Sequence, residues 1–478
     1  MQPVLTPAEM AAADRRATDS GTPVAVLMER AGRAVAWEVR RRLDGLYGRR
    51  GVVVCGKGNN GGDGLVAARV LAGWGLRADV IELAEPVAST ELARSLRRAD
   101  VLVDAMYGTG FTGRLEGSAA EVAAASPSSL TVSVDIPSGV DGRTGQAEGP
   151  AVWATATVAF ASRKPGLVLE PGRSHAGAVM VADIGVDVGE PALHVLEDDD
   201  VRAWLRASEP PPTTNKWQAG LLVVGGSGGM TGAPVLVSHA AMRAGAGIVW
   251  CAVPGRDAAA RGSGSEVITK PMPATDDGAL AGLGDLPASL GRFRAAAVGP
   301  GLGTADATRA ALRELVAKTP VPLVLDADGL NAFAGQAAAL RERPAPTVLT
   351  PHDGEYARLA GEPVGDDRVD AARRLAAASG CVTLLKGPAT VIADPSGRAV
   401  INPTGGAELA TAGSGDVLTG IIGGLLARGL TPFAAAAAGA YVHGRAGDVA
   451  GHTGLIAGDL IAALPRTLHG LNPGPRER

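Results

Sequence analysis

The chain has 478 residues, room for two to four domains at roughly 100–200 residues each, which excludes a peptide-sized module. Hydrophobic residues make up 46% of it, and 67 glycines with 32 prolines stay below low-complexity levels, so global disorder is excluded. A formal net charge of −4 gives no field that would draw it onto nucleic acid or anionic lipid, leaving small molecules as the expected partners.

The opening stretch MQPVLTPAEMAAADRR carries acids and no apolar core of signal-peptide length, and no later run is long enough to span a bilayer, so a cytoplasmic protein is expected. Thr6, Pro7 and Glu9 form a capping box that predicts a helix from residue 7. Strands are predicted at 51–55, 78–81, 100–104, 131–135 and 154–159, near-continuous apolar runs separated by helical stretches. That alternation is the pattern of a doubly wound α/β domain, Rossmann-like in organisation. A proline cluster within 207–215 predicts a linker, giving domains at 1–205 and 215–478. The second half repeats the α/β pattern, with strands predicted at 220–224, 295–298, 323–326, 347–350 and 382–386 and a hairpin over 389–402. Cys55, Cys251 and Cys381 are odd in number and each flanks an apolar run, which fits buried thiols better than disulfides or zinc.

In the first half, GKGNNGGDG (56–64) precedes helical residues 65–71, and a helix start there offers N–H groups to a phosphate. Its Asn59, Asn60 and Asp63 exceed what a dinucleotide loop needs. Two further strands end in acids, Asp104 before GTGFTGR and Asp135 before Ile136, Pro137 and Ser138. Ligands of doubly wound sheets bind at the carboxyl ends of strands, so Asn59, Asp104 and Asp135 are expected to converge on one crevice. Asn, Asp and Ser oxygens suit a hard cation.

In the second half, GGSGGMTGAP (225–234) and VGPGLG (298–303) each follow a strand, LDADGLN (325–331) carries Asp326 and Asp328, and TPHDGE (350–355) carries His352. Of seven histidines His352 alone sits in such a constellation, and a neutral, orienting role is expected for it. ATAGSGDVLTGIIGGLLARG (410–429) is the most specific signal: a Gly-Ser-Gly turn feeds an apolar helix whose N–H groups can cradle a phosphoryl group, with Asp416 in reach of an attacking oxygen. This turn resembles the ribokinase-like fold, in which the aspartate acts as base toward a hydroxyl being phosphorylated.

LMERAG (27–32), GKGNNGGDGLVAAR (56–69), DAMYGTGFTGR (104–114) and VDIPSGVDG (134–142) together resemble the NAD(P)H-hydrate epimerase domain, the YjeF N-terminal family. The resemblance implies that Asn59, Asn60, Gly61, Gly62 and Asp63, then Gly108, Thr109, Gly110, Phe111, Thr112, Gly113 and Arg114, and Asp135 hold the hydrated dinucleotide. It also implies that Asn60, Asp104 and Ser138 hold a potassium ion (K+). Asp135 is the candidate acid/base. Over 215–478, GGSGGMTGA, GPGLG, LDADGLN, TPHDGE, KGPAT and AGSGD resemble the ADP- or ATP-dependent NAD(P)H-hydrate dehydratase family. Here the resemblance implies substrate contacts by Ala233, Gly301, His352 and Asp416, nucleotide contacts by Lys386, Gly387, Pro388, Ala389, Thr390 and Gly415, and Mg2+ with the nucleotide. Asn215-Lys216-Trp217 stands where that family shows His-Lys-Gly, and Leu409 where Met is common.

The implied activity is bifunctional repair of NADHX and NADPHX, the hydrated forms of the reduced cofactors. The first half exchanges their R and S epimers. The second dehydrates the S form with ADP, the expected donor, or ATP. A homo-oligomer is implied as well. Three alternatives stand beside this one. An NAD-dependent dehydrogenase fused to a ribokinase-like kinase is suggested by GKGNNG with Glu82, but that half places no His or Lys as a hydride-transfer acid. A sugar or vitamin kinase rests on AGSGD alone. The third is a nucleotide sensor or scaffold whose first half binds without catalysis.

Overall fold

The structure is a computed structural model that describes residues 1–83, 89–126, 130–255 and 266–472. It divides into two compact units, Gln2–His194 and Val195–Arg478. The division falls earlier than the expected boundary of 205, for a packing reason. Helix Asp198–Ala207 sends Val201 and Leu205 into the second unit's core, so the proline cluster that follows is a loop inside that unit rather than the linker.

In the first unit, β1 (Arg50–Cys55), β2 (Arg77–Glu82), β3 (Val101–Ala105), β4 (Thr131–Val134), β5 (Ala156–Phe160) and β6 (Ala178–Ala182) form a six-stranded sheet in the order β2-β1-β3-β4-β5-β6. Every pairing is parallel. The four inner strands are buried on both faces, which is why they read as unbroken apolar runs, and each fully buried Val is worth about 1.5–3 kcal/mol relative to an exposed one. The edge strand β6 was not predicted; its AVMVA is mostly half-exposed and lies outside that pattern. Helix α1 (Pro7–Asp19) starts at the Thr6 capping box as expected, and α2 (Val24–Leu43) lies against α3 (Asn59–Gly73). Strand order reverses between β1 and β3, so the turns that follow them flank a crevice.

In the second unit, β7 (Gly220–Val224), β8 (Ile248–Pro254), β9 (Ile268–Met272), β10 (Ala295–Val298), β11 (Leu323–Leu325), β12 (Thr347–Leu349), β13 (Val382–Leu385), β14 (Val391–Ala393) and β15 (Ala399–Ile401) run in the order β15-β14-β13-β12-β11-β10-β7-β8-β9. Pairing is parallel from β9 to β13 and antiparallel through the β14–β15 hairpin, which turns at Asp394–Gly397 as expected. Helix α4 (Gly232–Arg243) packs on α5 (Ser414–Ala427), and α6 (Pro432–Ala450) with α7 (Ala457–Leu471) completes the buried helical layer. A Cβ on Gly420 would lie 2.3 Å from the Val237 carbonyl and one on Gly424 2.8 Å from that of Ala241, so glycines one turn apart set how closely α5 approaches α4. The three cysteines are buried, and none is in a disulfide. Among the described residues no helix is long and apolar enough to cross a membrane.

Candidate active sites

The first crevice is a cavity of about 610 Å³ at the β1/β3 switch point. The GKGNNGGDG segment is less of a loop than its glycines suggest: α3 begins at Asn59, so Asn59 to Asp63 fill its opening turns. Two glycines of the G-x-G-x-x-G pattern serve backbone packing. A Cβ on Gly56 would sit 1.8 Å from the Met106 carbonyl oxygen, and one on Gly61 1.9 Å from that of Gly56. Lys57, Gly58, Asn59, Asn60 and Asp63 line the cavity, as do Gly108, Thr109, Gly110, Phe111 and Asp135. Gly61, Gly62, Thr112, Gly113 and Arg114 are not on its wall; Gly62 packs against Met28, and the Arg114 side chain lies on Gly149.

Asp135 follows β4 with φ +67°, a left-handed conformation that Asp tolerates better than most residues. Its carboxylate is ion-paired with Lys164 and accepts the Thr109 N–H at 3.2 Å. Lys164, just beyond β5, is fully buried and also donates to the Phe160 carbonyl at 3.0 Å. A buried ammonium is tolerated only when paired in this way. Asp14 of α1 joins the wall, and burial, opposed by Lys164 and reinforced by Asp135, raises its carboxyl above the ordinary range. Asp63 is pushed up to about 8, first by desolvation and then by the Asp135 and Asp14 carboxylates. Sequence reasoning missed Lys164 and Asp14. Lys164 obeys the same strand-end rule that picked out Asp104 and Asp135, applied one strand further on. Asp14 carries no local signal, because only tertiary folding lays α1 across the crevice.

Asp104 is not on the cavity wall. It is fully buried and accepts hydrogen bonds from the Ser133 hydroxyl at 2.8 Å, the Ser138 hydroxyl at 2.6 Å, the Ser138 N–H at 2.9 Å and the Met106 N–H at 3.3 Å. Ser138 in turn accepts the Tyr107 N–H at 3.0 Å, so the pair braces the turn after β3. Burial raises the Asp104 carboxyl, against the pull of those donors. The Asn60 amide nitrogen is buried with no partner.

In the second unit the switch point lies between β7 and β10. Their turns interlock: Gly226 N–H donates to the Pro300 carbonyl at 2.8 Å and the Ser227 hydroxyl to that of Gly301 at 2.8 Å. A Cβ on Gly301 would lie 3.3 Å from that of Ala233, which brings these two expected contacts together. At the ends of β11 and β13, Lys386 Nζ donates to Asp326 at 2.9 Å and lies 3.5 Å from Glu355, while the Thr419 hydroxyl donates to Asp326 at 2.6 Å. Despite burial, Lys386, Thr419 and Thr350 hold Asp326 below the ordinary carboxylate range, and Asp326 and Glu355 raise Lys386. A Cβ on Gly415 would be 3.7 Å from Lys386 Nζ, so the AGSGD turn and KGPAT meet. Asp416, in the first turn of α5, is pushed up to about 6 by burial and Asp326, with Lys386 opposing.

His352 caps the helix Asp353–Ala360: its Nδ1 accepts the N–H groups of Gly354 at 3.0 Å and Glu355 at 3.4 Å, and Nε2 of the half-exposed ring lies 3.5 Å from Glu355 Oε1. Arg368, unmarked in the sequence, binds Asp353 through both carboxylate oxygens and donates to the Lys386 carbonyl at 2.7 Å, fixing the backbone before Gly387. His443, expected to be uninvolved, is buried on α6 with Nε2 3.0 Å from the Ser414 hydroxyl, and burial lowers it to about 4, so it is neutral. Asn215 caps the short turn Lys216–Ala219, and Trp217 packs with Trp250 and Phe293 under Arg292, which gives the unusual entrance segment a packing role.

The fold and both sites define a two-unit enzyme with a Rossmann-like and a ribokinase-like half. The sequence pattern of the NAD(P)H-hydrate dehydratase family matches residues 221–467, and that of the YjeF-related protein N-terminus matches 24–98 and 85–166. A bifunctional NAD(P)H-hydrate repair enzyme of Moorella thermoacetica is 42% identical over 98% of this chain and 97% of its own length, and one of Salinibacter ruber is 39% identical over 97% and 96%. The crystal structure of an ADP/ATP-dependent NAD(P)H-hydrate dehydratase from Bacillus subtilis, co-crystallised with ATP and Mg2+, aligns with a TM-score of 0.51 at 31% identity, over 58% of this chain and 99% of that one. The chain belongs to the family of bifunctional NAD(P)H-hydrate repair enzymes.

Proposed function

We propose that the first unit interconverts the R and S epimers of NADHX and NADPHX at the Asp135–Lys164 pair, and that the second dehydrates the S epimer with Asp416 as base and ADP as phosphate donor, ATP serving in its place. The observation that carries this is Asp416 at the mouth of α5, half-withdrawn from water and beside the Lys386–Asp326 pair. A carboxylate that releases its proton near pH 6 is ionised at neutral pH yet still basic enough to take one from a hydroxyl. Hydroxide leaves carbon poorly, whereas a phosphorylated C6 oxygen leaves with push from the ring nitrogen. Lys386 and the N–H groups of the α5 mouth would hold the nucleotide phosphates, and the His352 edge would orient the substrate.

Mg2+, when bound with the nucleotide, would supply neutralisation of phosphate charge; among the described residues no three His, Cys, Asp or Glu side chains gather to hold it, so the nucleotide's own phosphate oxygens would be its main ligands. In the first unit, Asn60, Asp104 and Ser138 would hold the potassium ion. All three offer oxygens, the donor type a hard cation takes. The ion would supply fixed positive charge to the site. In the epimerisation, Asp135, held in place by its pairing with Lys164, would exchange a proton at the carbinolamine, and the apolar wall of Met10, Leu27, Met28 and Phe160 would face the hydrated ring.

The test separates the two halves. Asp135→Asn should still turn S-NADHX into NADH while leaving the R epimer untouched, and Asp416→Asn should recover NADH from neither. If Asp416→Asn kept wild-type recovery, the proposed base would be wrong. Oxidation of a plain alcohol with NAD would favour a dehydrogenase instead.

A further inference from the structure

We infer that Asp63 is a further catalytic residue of the first unit: the carboxylic acid that exchanges a proton with the ring nitrogen of the substrate while Asp135 exchanges one with the C6 hydroxyl. The inference rests on the reading of that unit as the epimerase and deepens it. Asp63 lines the cavity from the second turn of α3 and is 8% exposed. Among the described residues its side chain makes no salt bridge or hydrogen bond, whereas Asp135 across the cavity is tied to Lys164 and to the Thr109 N–H. The charged groups facing Asp63 are Asp14 on α1, Asp135 after β4, Lys164 after β5 and Lys57 at the turn after β1.

Carboxyl groups crowded into one desolvated site cannot all ionise. Asp135 is committed to the buried Lys164, and its unpaired neighbour Asp63 is the one left to keep a proton. The site therefore presents a base and an acid together, and epimerisation through ring opening needs both. Asp135 takes the proton of the C6 hydroxyl. The C6–N1 bond breaks, its electron pair goes to the ring nitrogen, and the nitrogen takes the proton of Asp63, leaving C6 as an aldehyde carbon. Rotation about C5–C6 presents the other face, and as the ring closes the nitrogen gives its proton back to Asp63 while Asp135 returns its own to the C6 oxygen. No atom is gained or lost, and no oxidant or reductant is required. Lys164 keeps Asp135 from competing for the acid's role.

The experiment uses the full chain and purified R-NADHX without nucleotide, following appearance of the S epimer by chromatography. Asp63→Asn should lower kcat by about 10²–10⁴-fold with little change in KM, the signature of an interaction made only in the transition state. The wild-type rate should fall as pH rises through about 8, where Asp63 loses its proton. Asp63→Glu, which restores a carboxyl, should recover part of the rate and keep an alkaline limb that Asp63→Asn lacks. Dehydration of S-NADHX by the same preparations should be unchanged, which reports a folded chain. An Asp63→Asn rate close to wild type, or a loss confined to KM, would overturn the acid role while leaving the epimerase reading intact. Absence of epimerisation in the wild type would overturn that reading, and this inference with it.

Discussion

At the scale of single residues, both sites separate carboxyl groups of one chemical type by their surroundings. Asp326 is held ionised by Lys386 and Thr419, whereas Asp416 nearby, without such partners, is raised to about 6. Dehydration at saturating nucleotide should therefore rise with pH through about 6 and then level off. Lys386 opposes the rise in Asp416, so Lys386→Met should move this acid limb to higher pH; an unmoved limb in the pH–kcat profile would exclude the coupling. Asp63 makes a stability prediction of opposite sense. Its folded-state value lies near 8, above the ordinary 3.8, so the unfolded chain ionises first and the native state loses stability as pH rises between those two values. Asp63→Asn, which cannot ionise, should melt above wild type at pH 8, with the gap closing toward pH 4. Equal melting temperatures at both ends would show that Asp63 is not desolvated.

At the scale of elements, the apolar patterning that identified the inner strands is the pattern that buries them, and most of the expected strands form within a residue or two. The strands at 178–182, 248–254 and 268–272 were missed where Ala, Pro or Lys interrupts the β-branched signal. The start of α3 was misplaced because Asn and Gly disfavour helix interiors, yet here Gly61 lies against the Gly56 carbonyl and Gly64 against the Ala105 and Cys55 side chains, where no Cβ would fit. The same logic holds α5 against α4. Gly420→Ala would thrust a methyl group at the Val237 carbonyl and should cost about 1–3 kcal/mol, the usual penalty of overpacking. Because α5 carries Asp416, dehydration should suffer beyond the loss of stability, whereas epimerisation should persist. A thermal melt with both assays run below the transition checks this, and an unaltered dehydration rate would mean that α5 can shift without displacing its mouth.

At the scale of the whole molecule, the strand-end motifs made two α/β units and two sites legible, because ligands of such sheets collect where strand order reverses. What was not legible came from distant chain, α1 bringing Asp14 and α6 bringing His443 to Ser414, whereas Lys164 stood at a strand end where the same rule reaches it. The boundary was misread for a related reason, since a proline cluster marks a stiff loop but cannot say whose core the preceding helix enters. Joining the two activities in one chain lets a dehydratase restricted to the S form draw on both epimers. The measurement that tests this most directly starts from the pure R epimer of NADHX, with Mg2+ and then ADP or ATP added, and follows both epimers and NADH with time. The wild type should equilibrate R with S before nucleotide is added and drain both into NADH afterwards, and Asp416→Asn should equilibrate without draining. Persistence of the R epimer in the wild type, or recovery of NADH by Asp416→Asn, would contradict the account.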